Sequence, residues 1–296
     1  MHIVLGATGR VGSAVAGSLL DRGEPVTVVT RDPRRAARFI HRGASVAVAD
    51  VGDADALGAA LRKGRSAFLL MPTADPATDT VAEERRLVAS IFRAVAHAVE
   101  SGELERVVVQ STYGARPGEG LGDLGVLYEL EEGVTAIGVR ASVVRGAYFM
   151  SNWDSALETA RADGALHTFF PPDFRLPMVA PADVGRVAAR LLTDEAAHGG
   201  VRHVEGPTAY SPTDVARAFA AALGRDVRIE ETPRAAWVDA LRTFGFSPTA
   251  AASYARMMAI TLDGVEPPAA PERGPTPLDA YVATLVRSAP AAQPAG

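Results

Sequence analysis

Three glycines, Gly6, Gly9 and Gly12, follow the apolar run Ile3-Val4-Leu5 at G-x-x-G-x-x-G spacing, and Ser13 to Leu20 then read as a helix. This pattern suits a pyrophosphate. Gly6 lets the chain turn sharply off a strand, Gly9 lets backbone N–H groups approach the phosphates, and Gly12 lets the helix pack on the sheet. Thr8, Arg10 and Val11 fill the loop between them. The helix start adds unpaired N–H groups and a partial positive charge. A tight strand-to-helix turn alone would also use such glycines, but the flanking strand and helix favour a dinucleotide site.

A second apolar run, Val26, Val28 and Val29, ends at Thr30-Arg31-Asp32-Pro33-Arg34-Arg35. At that place an acidic residue would bind an adenine ribose 2′-hydroxyl, whereas an arginine suits a 2′-phosphate. Arg31, with Arg34 and Arg35 within reach, offers forked donors matched to phosphate. NADP(H) is therefore expected over NAD(H). The alternative is a set of solvated charges at a helix start.

The elements that must position these residues alternate between strand and helix, which predicts an α/β fold with a doubly wound parallel sheet. Ser45 to Ala49 form a third strand ending at Asp50-Val51, where Asp50 can accept from an adenine amino group and Asp53 can cap the next helix. Ala67 to Leu70 form a fourth strand ending at Met71-Pro72, and Glu83 to Val99 a long helix. Val107 to Val109 form a fifth strand ending at Gln110-Ser111-Thr112-Tyr113-Gly114. Ala136 to Val139 are read as a sixth strand running into Arg140 to Val144, which sets Ser142 at its carboxyl end. Ligands of doubly wound sheets bind beyond those carboxyl ends, so these terminal residues are expected to line one crevice.

Composition closes off other classes. The 296 residues carry a net charge of −5, which argues against a nucleic-acid surface. There is no cysteine, which excludes disulfides, thiolate catalysis and cysteine-ligated zinc. The six histidines lack metal-ligand spacing, so no metal site is expected, and only His167 falls near the expected cleft. No apolar run reaches membrane-spanning length, and the first strand opens the chain with no secretory signal before it. A cytoplasmic protein is expected.

The chain resembles the NmrA-like proteins, an atypical branch of the short-chain dehydrogenase/reductase superfamily. The resemblance rests on Gly6-Ala7-Thr8-Gly9-Arg10-Val11-Gly12, Gln110 to Ala115, Tyr148-Phe149-Met150-Ser151-Asn152-Trp153, Pro177 to Gly185, and Glu205-Gly206-Pro207, in that order over residues 1–262. It implies a Rossmann domain over 1–150, completed by part of 176–204, and a smaller, mostly helical substrate or lid region over 151–264. Residues 265–296 read as a Pro/Ala-rich tail with one short helix, Leu278 to Val286, and the last ten residues as disordered. Asp183 reads as a helix cap and, by the resemblance, as a hinge between domains.

The superfamily's usual proton donor is a Tyr-x-x-x-Lys pair, and this chain departs from it. Its single lysine is Lys63; the residue four after Tyr113 is Pro117, and four after Tyr128 is Glu132. No catalytic residue is assigned. A quinone or similar flat acceptor needs less: it takes a hydride readily, and the site must mainly orient it. Candidate walls are Tyr113, Tyr148, Phe149, Met150, Trp153, Phe169, Phe170 and Met178, with the clustering favouring Tyr113, Tyr148 and Phe149. Asn152 can point its amide at a substrate carbonyl or cap the following helix. Trp237, Phe244, Phe246, Tyr254, Met257 and Met258 form a lid or simply the core of the second region. The expected function is NADPH-dependent reduction of a small, flat, apolar acceptor. The alternative is a non-catalytic NADP(H) sensor acting through a protein partner, and a homodimer stays open.

Overall fold

The chain was analysed as a computed structural model, which describes residues 1–289. Buried runs make the first two strands, β1 (His2–Val4) and β2 (Val26–Thr30), and β3 (Ser45–Val48) follows as a partly exposed edge strand. Between them lie α1 (Arg10–Asp21) and the short α2 (Ala37–Ile40). The second half-sheet runs through α3 (Ala54–Leu61), β4 (Ser66–Leu69), α4 (Thr80–Glu100), β5 (Arg106–Thr112), α5 (Asp123–Ala136) and β6 (Arg140–Gly146). Beyond it come β7 (Tyr148–Phe149), α6 (Ala156–Ala162), β8 (Ala165–Thr168), β9 (Leu176–Val179), α7 (Pro181–Thr193) and β10 (Gly200–Glu205). The rest comprises β11 (Ala209–Tyr210), α8 (Pro212–Leu223), β12 (Arg228–Glu231), α9 (Trp237–Thr243), α10 (Pro248–Asp263), β13 (Glu272–Arg273) and α11 (Leu278–Ser288).

The main sheet has eight parallel strands in the order β13-β10-β6-β5-β4-β1-β2-β3. The chain winds one way from β1 to β3 and the other way from β4, so the switch lies between β1 and β4, where open α/β sheets take their ligands. Apolar residues of α3, α4 and α5 bury one face, around Leu57, Ile91 and Leu130. Those of α1 and α7 bury the other, around Val15, Val184 and Leu191. A cap outside the sheet holds the three-stranded sheet β11-β9-β7 and the two-stranded β12-β8.

Four expectations change. The sixth strand lies at Arg140–Gly146, because α5 continues to Ala136 and a turn with Gly138 at φ +85 intervenes. Its carboxyl end is therefore Gly146, and Ser142 sits mid-strand, fully buried, with its hydroxyl accepting from Gly199 N–H at 2.7 Å. That placement takes Ser142 out of the cofactor crevice. Residues 265–289, read as a tail, are packed: β13 extends the main sheet beside β10, while Leu278 and Val282 enter the cap core. The expected disorder of the last ten residues fails at Arg287 and Ser288, which are helical; residues 290–296 lie outside the described residues. Asp183 sits inside the first turn of α7 rather than at its cap, which is Ala180. It is 1% exposed and accepts from Thr276 N–H at 3.1 Å and Thr276 Oγ1 at 2.8 Å. It ties the C-terminal segment down.

Candidate functional site

The glycine loop is built by its own constraints. Gly6 adopts φ +62, and a Cβ there would come within 2.4 Å of Leu70 Cδ2. A Cβ on Gly12 would lie 2.3 Å from the Gly6 carbonyl oxygen, so α1 approaches the strand end only because that atom is missing. Gly9 differs. Its φ is −93, it is exposed, and a Cβ would meet only Gly6 O at 3.3 Å. The fold itself hardly needs a glycine there; the space it leaves faces outward from the start of α1. That helix start has no side-chain cap and no acidic residue in its first turn. Such a cradle fits a pyrophosphate. Val11 is buried in the core, so only its backbone faces the loop, while Thr8 is half-buried beside it. The Arg10 guanidinium turns to Asp154, which also accepts from Tyr281 at 2.9 Å.

At the end of β2, Asp32 is committed locally. Its carboxylate accepts from Arg34 Nε at 2.9 Å and Nη2 at 3.0 Å and from Arg34 N–H at 3.0 Å, which holds it below the usual carboxylate range. Arg31 and Arg35 stay exposed beside it. Asp50 lies 3.7 Å from Arg31 and accepts from Gly52 N–H at 2.7 Å. Asp53 caps α3. Val51, Met71 and Pro72 are half-buried after β3 and β4. Ser111, near the carboxyl end of β5, is 2% exposed with a hydroxyl that has no protein partner. A buried hydroxyl without a protein partner is uncommon.

A cavity of about 990 Å³ adjoins this crevice. Thr112 at the end of β5 and Tyr113 after it, with Ala147, Tyr148 and Phe149 after β6, form its inner wall. Asn152 and Trp153 follow, then Phe169, Phe170 and Phe174. Rings pack against one another: Tyr148 meets Phe170 edge-on at 5.8 Å, and Phe170 stacks on Phe174 at 5.6 Å. His167 lines the wall too, paired with Glu230 at 3.3 Å. Met150 and Met178, candidates by composition, are fully buried in the cap core. Asn152 caps no helix; its side chain hydrogen-bonds the Tyr148 phenol, whose proton affinity burial raises well above the ordinary range.

The outer wall comes from α9 and α10. Phe244, Phe246, Tyr254, Met257 and Met258 line the cavity, whereas Trp237 packs beneath them with its indole N–H donating to Thr232 O at 2.9 Å. Leu124, Thr261, Val265 and Pro267 line it as well and were not anticipated. The signal for α10 was present in its spacing: positions 254, 257, 258 and 261 fall on one helix face. Among the described residues, no carboxylate lines the cavity and no cluster of potential metal ligands occurs.

Sheet order, glycine loop and aromatic cavity define a doubly wound α/β protein of the Rossmann class with a cap over its crevice. The chain belongs to the NmrA-like family, whose signature matches residues 2–264. It is 33% identical over 252 residues to a (4-alkanoyl-5-oxo-2,5-dihydrofuran-3-yl)methyl phosphate reductase of Streptomyces griseus, covering 82% of this chain and 79% of that one. It is 26% identical over 230 residues to an NAD(P)H azoreductase of Xenophilus azovorans, covering 77% and 76%. In three dimensions it resembles an NADPH-dependent quinone oxidoreductase of Escherichia coli crystallised with NADPH, at TM-score 0.76 and 21% identity over 96% of this chain and 99% of that one. No helix among the described residues is long and apolar enough to cross a membrane.

Proposed function

We propose that the chain is an NADPH-dependent reductase of flat conjugated acceptors such as quinones. The observation that carries this reading is the aromatic cavity at the carboxyl ends of β5 and β6, the same edge of the parallel sheet from which the glycine loop leaves β1. Bound NADPH supplies the hydride. The chain's own residues bind and orient. Backbone N–H groups of the loop and of α1 hold the pyrophosphate, and Arg31 and Arg35 take the 2′-phosphate that Asp32, already spent on Arg34, would disfavour. Tyr113, Tyr148 and Phe149 fix the plane of the acceptor, and the face of α10 keeps water out. The reductase names of the relatives support this reading.

A second reading, a non-catalytic NADP(H) sensor, draws on the position of Lys63. It lies between α3 and β4, at the amino end of the strand, away from the crevice, so no tyrosine–lysine pair forms there. NADPH oxidation against a panel of quinones, with NADPH and NADP⁺ affinities measured in parallel, decides between the two. Turnover is expected; tight binding of both dinucleotides with no turnover on any acceptor would sink the reductase.

A further inference from the structure

Charge on the cavity wall has one sign. Among the described lining residues there is no carboxylate, and the two basic side chains are Arg175 and His167. They bracket one stretch of chain, from β8 to the start of β9, whose Phe169, Phe170 and Phe174 supply the rings between them. The acidic residue of that stretch, Asp173, is exposed and outside the lining, and accepts from Thr213 Oγ1 at 3.4 Å.

Each of these bases shares its carboxylate with a second base. Arg175 Nη1 donates to Asp214 Oδ2 at 3.1 Å, while Arg217 Nη1 donates to Asp214 Oδ1, also at 3.1 Å. His167 lies 3.3 Å from Glu230, and Arg228 meets the same carboxylate at 2.6 Å. Two arginines on one aspartate leave positive charge over at this end of the wall. Arg175 can use it. Its side chain is 56% exposed, and two of its five N–H groups are spent, on Asp214 and on the Ala209 carbonyl at 2.5 Å. The donors that remain suit an oxyanion.

Volume adds a size to the charge. The cavity holds about 990 Å³, the top of the range that drug-sized ligands occupy, so a single-ring quinone would leave most of the aromatic wall against water. Phe170 stacks on Phe174 between the two bases, and Phe246 packs against Tyr254 at 5.4 Å on the outer wall. Met257 and Met258, beside Tyr254, are unbranched and adapt to an irregular outline.

We propose that the acceptor is a polycyclic aromatic anion, with three or more rings held among Phe170, Phe174 and the outer wall and an acidic substituent on Arg175. The proposal rests on the reductase reading and names the substrate class of that same site. Arg175 determines specificity and takes no part in hydride transfer. A cationic acceptor of the same shape is disfavoured, because the wall offers it no carboxylate.

Binding to the full chain tests this, with NADP⁺ present so that no turnover intervenes. The readout is quenching of the chain's two tryptophans: Trp153 lines the cavity and Trp237 packs beneath it. The probes are two anthraquinones that differ only in a sulfonate or a trimethylammonio substituent, and a naphthoquinone sulfonate. The anthraquinone sulfonate is expected to bind about tenfold tighter than the cation, or more. It is expected to exceed the two-ring sulfonate by about tenfold, through the apolar area of its third ring. Arg175→Gln is expected to weaken the three-ring sulfonate by about tenfold and to bring sulfonate and cation within about threefold of each other. Should that variant fail to fold, the wild-type preference is read against salt, and it shrinks as the exposed charge is screened. Equal affinity for sulfonate and cation, no gain from the third ring, or an undiminished preference in folded Arg175→Gln overturns the proposal, and turnover of a neutral quinone by the same chain leaves the reductase reading intact. Sulfonate binding that depends on Arg175, in a chain whose NADPH no quinone oxidises, overturns the reductase reading and leaves the anion site standing.

Discussion

The hydroxyl of Tyr113 donates to Oε1 of Glu205 at 3.0 Å, and the other oxygen of Glu205 is held by Arg273 at 2.5 Å. The phenol thus presents its ring, not its proton, to the cavity. His203 packs edge-on against that ring at 5.3 Å and fixes it further.

Tyr113 is therefore expected to act through packing. In the proposed reaction, Tyr113→Phe should lower kcat/KM by about threefold or less, because the ring remains and Glu205 keeps Arg273. Tyr113→Ala should cost on the order of 10²-fold through lost orientation of the acceptor. Steady-state kinetics on both variants check this. A large loss in the phenylalanine variant alone would make Tyr113 a proton donor.

The glycine loop gives a paired prediction. Gly9→Val should keep the fold, since the protein offers only one carbonyl oxygen at 3.3 Å, but should abolish dinucleotide binding by filling the phosphate space. Gly12→Ala should destabilise the protein itself, because its Cβ would lie 2.3 Å from a backbone oxygen. Circular dichroism melts and NADPH titration separate the two outcomes. Undiminished affinity in folded Gly9→Val would remove the proposed cofactor site.

Cofactor preference rests on Arg31. Arg31→Ala is expected to weaken NADPH binding by about tenfold and NADH binding hardly at all. That is the lower end of a charge-assisted hydrogen bond, since solvent screens an arginine whose side chain is 77% exposed. Equal losses for both dinucleotides would make the arginine structural.

Glu84 of α4, 1% exposed, predicts a pH-dependent stability, because burial raises its carboxyl. Glu84 holds its proton in the folded chain to about 8, whereas an unfolded chain releases it near the ordinary glutamate value. The folded state then binds more protons across that window, so stability falls as pH rises through it. Glu84→Gln, neutral throughout, should match wild type near the bottom of the window and exceed it increasingly toward the top. Urea midpoints at several pH values check the trend; a constant difference would show that Glu84 ionises normally.

What sequence reading recovers here depends on how local the constraint is. The demands on Gly9 and Gly12 come from Gly6 and Leu5 close by in the chain, so the loop and its strand–helix setting were legible. The sixth strand was not. Ala136 to Val139 is a short apolar stretch that a helix end and a buried strand use equally, and only pairing with β5 and β10 picks out Arg140–Gly146. Tyr113, Tyr148 and Phe149 follow strand ends, where the cavity wall lies, whereas the contribution of α10 depends on how the cap closes. Glu84 was invisible for a different reason. It stands in the run Glu83-Glu84-Arg85-Arg86, which reads as a solvated face, and only its neighbours are solvated.

The pairing of β13 with β10 has a consequence for how the chain is made. Residues 272–273 complete an edge of a sheet whose first strand begins at residue 2, and Thr276 then locks Asp183. On a ribosome, β10 has no outer neighbour and Asp183 lacks its two Thr276 donors until nearly all the described residues have been synthesised. Nascent chains stalled before residue 272 should therefore bind holdase chaperones more strongly than chains released through residue 289.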